Sequence, residues 1–208
     1  SDEDVDGIID LYSVPLAGGN PVRLSDVLLS GQYVKFAISA DSAYVVYVVD
    51  QDVVGVPELY SVEIAGGSRT KLNMNFYALP GQVLGFLISP TNERVYYLAD
   101  GAINNVIELW RVDIDGGTST RLNAEITSSS DVSGFAVGLT AGGLERVVYR
   151  VGQSSGTGDH ELWSVPATGS SASAIRISRS MVTGGGVDGY FQISRNGTRV
   201  VYLADATD

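Results

Sequence analysis

A chain of 208 residues, 44% hydrophobic and 18% charged, is long enough to bury a core, and residues 1–208 are expected to form a single domain. Its formal net charge of −11 and scattered basic residues exclude the concentrated positive surface that nucleic acid or an anionic membrane requires. No apolar run reaches the roughly 18 residues of a membrane span, and the absence of cysteine removes disulfides, thiolate metal sites and cysteine nucleophiles.

The first element is an acidic loop, Asp2-Glu3-Asp4-Val5-Asp6-Gly7-Ile8-Ile9-Asp10. Carboxylates alternating around a turn converge on a hard cation, and the glycine permits the sharp bend. The ligand set is Asp2, Asp4, Asp6, the carbonyl of Ile8, and Asp10, with Ca2+ as the implied cofactor. Carboxylates this close repel one another when no ion lies between them. Tyr12 stands where an EF-hand loop ends in glutamate, so the loop is of another kind. Neither an initiator methionine nor a leader stretch precedes it, as expected of a mature or excised piece.

The first strand then begins a pattern that recurs to the end of the chain. Asp10-Leu11-Tyr12-Ser13-Val14 returns as Glu58-Leu59-Tyr60-Ser61-Val62, as Glu108-Leu109-Trp110-Arg111-Val112 and as Glu161-Leu162-Trp163-Ser164-Val165, at steps of 48, 50 and 53 residues. Apolar, β-branched and aromatic segments at such a period specify an all-β propeller or a related array. Each repeat divides into four strands, here called a to d. In one repeat they are Leu84–Ser89, Arg94–Ala99, Glu108–Asp113 and Ser119–Asn123. Paired glycines at 18–19, 66–67 and 116–117, and Gly169-Ser170, separate c from d, where a tight hairpin needs positive φ. Phe36, Phe86, Phe135 and Phe191 mark strand a, Tyr47, Tyr97, Tyr149 and Tyr202 mark strand b, and Tyr12, Tyr60, Trp110 and Trp163 mark strand c. These rings are expected to fill the wedge between neighbouring blades. Asn196-Gly197 is expected to form a type I′ turn.

Three blades are continuous, from Phe36 to Asn73, Phe86 to Asn123 and Phe135 to Ser178. The fourth requires strands a and b at the C-terminus to pair with strands c and d at the N-terminus. The predicted architecture is therefore a propeller of four-stranded antiparallel blades, four repeats per chain, with one blade closed by the terminal strands. Closure within one chain gives a four-bladed ring, exchange of ends between two chains gives a homodimeric eight-bladed ring, and a fragment of a longer propeller is the third arrangement.

These residues resemble TolB-type β-propeller repeats. The likeness runs through Phe86-Leu87-Ile88-Ser89-Pro90-Thr91-Asn92, then Arg94-Val95-Tyr96-Tyr97, Glu108-Leu109-Trp110, Gly116-Gly117 and Arg121-Leu122-Asn123, and recurs over nearly the whole chain. The repeats are longer than that family's forty-odd residues, and the Pro-Asp-Gly turn is degenerate. The resemblance implies a periplasmic or extracellular module that binds a protein or peptide, or the non-catalytic half of a peptidase. The acidic loop is similar to the calcium loops of integrin-type propellers, and Asp50–Glu58 and Asp100–Glu108 hold fainter versions.

The variable b–c and d–a loops emerge on one face, and function is expected there. Gly152-Gln153-Ser154-Ser155-Gly156 matches a nucleophile-elbow pattern, but a strand rather than a helix follows it. His160 is the one histidine, which excludes multi-histidine metal sites. No catalytic residue is assigned. The expected function is an interaction module for a protein or peptide, the alternative being a carbohydrate-binding or carbohydrate-processing propeller with Tyr33, Tyr77 or Tyr190 stacking on sugars.

Overall fold

The computed structural model of the chain describes residues 9–28, 35–76, 81–101, 103–153, 160–182 and 184–205. Strands run in consecutive antiparallel order. A two-stranded sheet holds β1 (Tyr12–Ser13) and β2 (Val22–Arg23). A four-stranded sheet holds β3 (Lys35–Ile38), β4 (Tyr44–Val49), β5 (Glu58–Glu63) and β6 (Thr70–Lys71). The next holds β7 (Gln82–Ile88), β8 (Arg94–Asp100), β9 (Ile107–Asp113) and β10 (Thr120–Arg121), and the third holds β11 (Ser130–Leu139), β12 (Glu145–Gln153), β13 (Glu161–Pro166) and β14 (Ile175–Arg176). A second two-stranded sheet, β15 (Val187–Ile193) and β16 (Val200–Ala204), ends the chain. The a-to-d order read from the sequence is thus present three times in full. The c–d half at the N-terminus and the a–b half at the C-terminus stand as separate sheets.

The chain divides into two compact units, Ser1–Tyr97 with Val112–Ser119 and Leu98–Arg111 with Thr120–Asp208, the division passing through the sheet β7–β10. In the first unit Leu11, Leu24 and Leu28 pack with Val45, Tyr47, Val49, Tyr60 and Val62. In the second, Val148, Leu162 and Val187 form a core to which Phe191, Ile193 and Tyr202 add. Burial of such side chains supplies about 1.5–3 kcal/mol each.

The recurring Arg-Leu-Asn signature at strand d has a physical basis. Its leucine is buried at Leu24, Leu72 and Leu122. Its last residue then caps a strand-c backbone group: Asn73 Oδ1 accepts the Leu59 N–H at 2.8 Å, Asn123 Oδ1 the Leu109 N–H at 2.8 Å, Ser25 Oγ the Leu11 N–H at 3.1 Å and Ser178 Oγ the Leu162 N–H at 3.2 Å. A buried N–H without such an acceptor costs about 1–3 kcal/mol. The strand-b tyrosines tie successive repeats together. Tyr97 accepts the Met74 N–H at 3.2 Å, Tyr149 the Ala124 N–H at 3.0 Å and Tyr202 the Arg179 N–H at 3.3 Å.

The turns differ from expectation in two places. At the a–b turn only Gly197 has positive φ, at +66°, so the type I′ turn expected at Asn196-Gly197 is corrected. The Gly197 N–H donates to Ser194 O at 2.8 Å, and Ser194 Oγ accepts the Arg199 N–H at 3.0 Å. Ser42, Asn92 and Gly143 occupy the same left-handed position in the other a–b turns. The serine or threonine that opens the turn supplies the local acceptor that makes this geometry stable. At the c–d turns, Gly66 and Gly116 have φ of +90° and +110°, as the glycine pairs predict. They are also contact points: a Cβ on Gly66 would fall 2.5 Å from Val22 Cγ1, and one on Gly116 2.7 Å from Thr70 Cγ2. In the last full repeat a 3-10 turn, Ser171–Ser173, replaces the paired glycines.

Candidate functional site

The start of strand c and the end of strand d meet on the face bearing the b–c and d–a loops, and an ion pair forms there in each repeat. Asp10 Oδ2 lies 3.6 Å from Arg23. Glu58 pairs with Lys71 and also accepts the Tyr60 hydroxyl at 3.0 Å. Glu108 lies 2.9 Å from Arg121, and Glu161 lies 2.6 Å from Arg176. The repeated acidic residue of the Glu-Leu-Tyr signature is therefore the partner of the basic residue of Arg-Leu-Asn.

This pairing bears on the acidic loops. Asp2, Asp4, Asp6 and Ile8 lie outside the described residues. Asp10 is buried, is paired with Arg23 and accepts the Leu28 N–H at 3.2 Å. In the fainter loop, Lys71 Nζ lies 3.2 Å from Asp52 and also contacts Glu58, while Asp50 accepts the Gly55 N–H at 2.8 Å. A lysine ammonium stands where a divalent ion would neutralise those carboxylates. Glu58 and Asp52 raise the Lys71 pKa, against the lowering effect of its burial. Among the described residues no three His, Cys, Asp or Glu side chains gather to hold a metal.

The last full repeat opens the same motif into a pocket of about 540 Å3. Its walls are the d–a segment Ala124–Thr127, the first part of β13, and Met181. Tyr149 forms part of the lining, its hydroxyl held by the Ala124 N–H. Glu161 Oε1 takes Arg176, and Glu161 Oε2 accepts the Trp163 indole N–H at 3.1 Å, which fixes the indole. The difference from the preceding repeat is exposure. The Glu108 and Arg121 side chains are 0% and 25% exposed, against 29% and 44% for Glu161 and Arg176. Trp163 is half-buried where Trp110 is buried. Ile126, Trp163 and Met181 offer apolar surface, while Glu125, Glu161 and Arg176 offer both charges, a combination suited to an extended polypeptide segment.

Of the other candidates, Gly152 and Gln153 belong to β12, and Ser154, Ser155 and Gly156 lie outside the described residues. The His160 ring lies against Gly152, so closely that a Cβ there would come within 2.2 Å of His160 Cδ2. The residue is half-buried there. Tyr33 and Tyr77 lie outside the described residues, and Tyr190 is 63% exposed. Sequence reading placed Trp163 in the wedge between blades. Nothing in the local sequence distinguishes it from Trp110.

Sheet order, strand count per sheet and the recurrent blade framework define a β-propeller. Solved structures agree. The chain is similar to dipeptidyl peptidase 4 of Porphyromonas gingivalis, with a TM-score of 0.65 and 14% identity over 94% of this chain and 26% of that one. It is similar to a puromycin hydrolase, with a TM-score of 0.56 and 17% identity over 89% of this chain and 27% of that one. An oligogalacturonate lyase, solved with manganese, matches with a TM-score of 0.52 and 12% identity over 94% of this chain and 59% of that one. The chain spans about a quarter of the length of the two hydrolases. No family model matches it, and no curated protein does.

Proposed function

We propose that this chain is a non-catalytic β-propeller module that binds a protein or peptide segment on the b–c/d–a face, in the pocket beside Trp163. The observation that carries this is the opening of the Glu161–Arg176–Trp163 motif in one repeat, while its counterpart around Glu108 is closed. Similarity to propeller-bearing peptidases supports the further reading that the module accompanies a hydrolase domain. Panning a random-peptide phage library on the chain is expected to enrich binders. Trp163→Ala weakens them about tenfold or more, whereas Leu144→Ser, in an a–b turn, leaves them unchanged. Failure to enrich, or equal binding to a folded Trp163→Ala variant, overturns the proposal.

The N-terminal loop is proposed to take Ca2+ through Asp2, Asp4, Asp6 and the carbonyl of Ile8. Asp10, already bonded to Arg23 and the Leu28 N–H, contributes charge more than free ligand oxygens. Calorimetric titration is expected to show binding that Asp4→Asn removes. No heat up to about 1 mM, the weak end of protein calcium sites, or heat that survives the substitution, refutes it.

A further inference from the structure

Building on the peptide-binding reading, on which this inference rests, we propose that the segment bound beside Trp163 carries a serine or threonine. Its hydroxyl seats between the Tyr149 hydroxyl and the Leu122 carbonyl.

The equivalent place in the preceding repeat is filled from within. Two positions before the basic residue of strand d stand Arg69, Ser119 and Ala174 in the three full repeats. The pairing register fixes the equivalence of the last two, since Arg121 faces Trp110 as Arg176 faces Trp163. Ser119 Oγ donates to Leu72 O, at the end of the preceding strand d, at 3.1 Å. The same oxygen accepts the Tyr97 O–H at 2.7 Å. A single hydroxyl thus joins a phenol donor to a backbone acceptor. Arg69 serves the equivalent carbonyl in its own way, its Nε donating to Leu24 O at 2.7 Å.

Ala174 ends at its Cβ and can do neither. Tyr149 keeps one contact of its counterpart, accepting the Ala124 N–H as Tyr97 accepts the Met74 N–H. Among the described residues its own proton meets no acceptor. The side chain that would reach Leu122 O is missing as well. The Tyr149 ring is fully buried, and burial pushes the phenol up to about 12, so it holds that proton at neutral pH. A buried donor without an acceptor is costly. Tyr149 and Ala124 both line the pocket of about 540 Å3, so the place that Ser119 fills in the preceding repeat is here reached by a ligand.

The missing group must accept from the phenol and donate to the carbonyl. A serine or threonine hydroxyl does both from one atom, whereas a carboxylate only accepts and an ammonium or guanidinium only donates. The Trp163 indole, fixed by Glu161, supplies apolar surface for the residue beside it.

Peptides enriched by panning on the parent chain provide the test. They are expected to share a serine or threonine, and its replacement by alanine should weaken binding about tenfold, the scale of one to two net hydrogen bonds. Ala174→Ser restores the internal hydroxyl. It should weaken the serine-bearing peptide by a similar factor and leave the alanine-bearing one unchanged. Tyr149→Phe should narrow the difference between the two peptides. Ala174→Ser keeps Tyr149 on the Ala124 N–H, so it reads the site even where Tyr149→Phe disturbs that wall. Enriched peptides with no shared hydroxyl overturn the inference. So does an Ala174→Ser chain, folded by circular dichroism, that binds the serine-bearing peptide as the parent does. Either result assigns the place to water and leaves the binding site standing. Failure to enrich any peptide overturns both together.

Discussion

Arg121→Met is expected to cost about 3–5 kcal/mol of folding stability, whereas Arg176→Met should cost less than about 1 kcal/mol. The two arginines hold the same place in the repeat and pair with the same strand-c glutamate, at 2.9 and 2.6 Å. What separates them is solvent. The Glu108 side chain is fully buried, so removing Arg121 leaves a carboxylate without its cation in a region that water does not reach. Glu161 is 29% exposed at the lip of the pocket, where water replaces the lost partner. Urea denaturation of both variants measures the difference. Arg121→Met combined with Glu108→Met should recover most of the loss, because the penalty lies in the orphaned charge rather than in a missing attraction. Equal costs for the two single variants would contradict the claim that burial distinguishes the closed motif from the open one.

The same contrast explains what the sequence reveals. Strand order is legible because each strand carries its own alternation and each c–d turn its own glycines. The terminal half-blades are legible because the pattern starts at strand c and stops at strand b. Long-range partners are not. The acidic stretch from Asp50 to Glu58 has the spacing of a cation loop, and only the strand pairing of β5 with β6 shows that Lys71 reaches Asp52 and Glu58. Gly66 is readable as a turn residue, but its approach to Val22 depends on a contact across 44 positions of chain. The tyrosines of strand b are readable as core. That their hydroxyls accept a backbone N–H from the preceding repeat depends on how successive sheets stack.

The candidate pocket was illegible for a related reason. Glu161, Trp163 and Arg176 follow the repeat faithfully, so their sequence announces a closed motif like that at Glu108. The longer c–d connection, with its 3-10 turn at Ser171–Ser173, is the nearby feature that breaks the repeat. Phe36 shows the converse. Its residue type predicts a wedge filler, yet it is 55% exposed where Phe86 is 7% exposed. In a repeat protein the departures that carry function are differences of exposure between equivalent positions.

Raising the pH from about 10 to about 12 is expected to remove roughly 4 kcal/mol of stability through Tyr47 and Tyr149 alone. Both rings are fully buried, and burial pushes each phenol up from 10.0 to about 12. Asp26 and Asp52 add to the effect at Tyr47, while Arg69 and Gln51 oppose it, and the Ala124 N–H opposes it at Tyr149. The folded chain keeps these protons where the unfolded chain has released them. Unfolding therefore releases protons in that window, and stability falls as pH rises through it. Below pH 10 both states are protonated and the full contribution is present. Burial also raises Tyr97, and Lys71, raised by its two carboxylates, loses its pairing in the same direction. Tyr47→Phe separates this linkage from the general repulsion of a chain already at −11. Among the described residues the Tyr47 hydroxyl has only a long contact with Gln51, at 3.5 Å, so the variant gives up little at neutral pH. Urea midpoints measured every half unit from pH 8 to 12 should fall less steeply in Tyr47→Phe than in the parent, by about 2 kcal/mol at the alkaline end. Parallel curves would mean that the Tyr47 ring titrates as it does in water and that the inter-repeat core admits solvent.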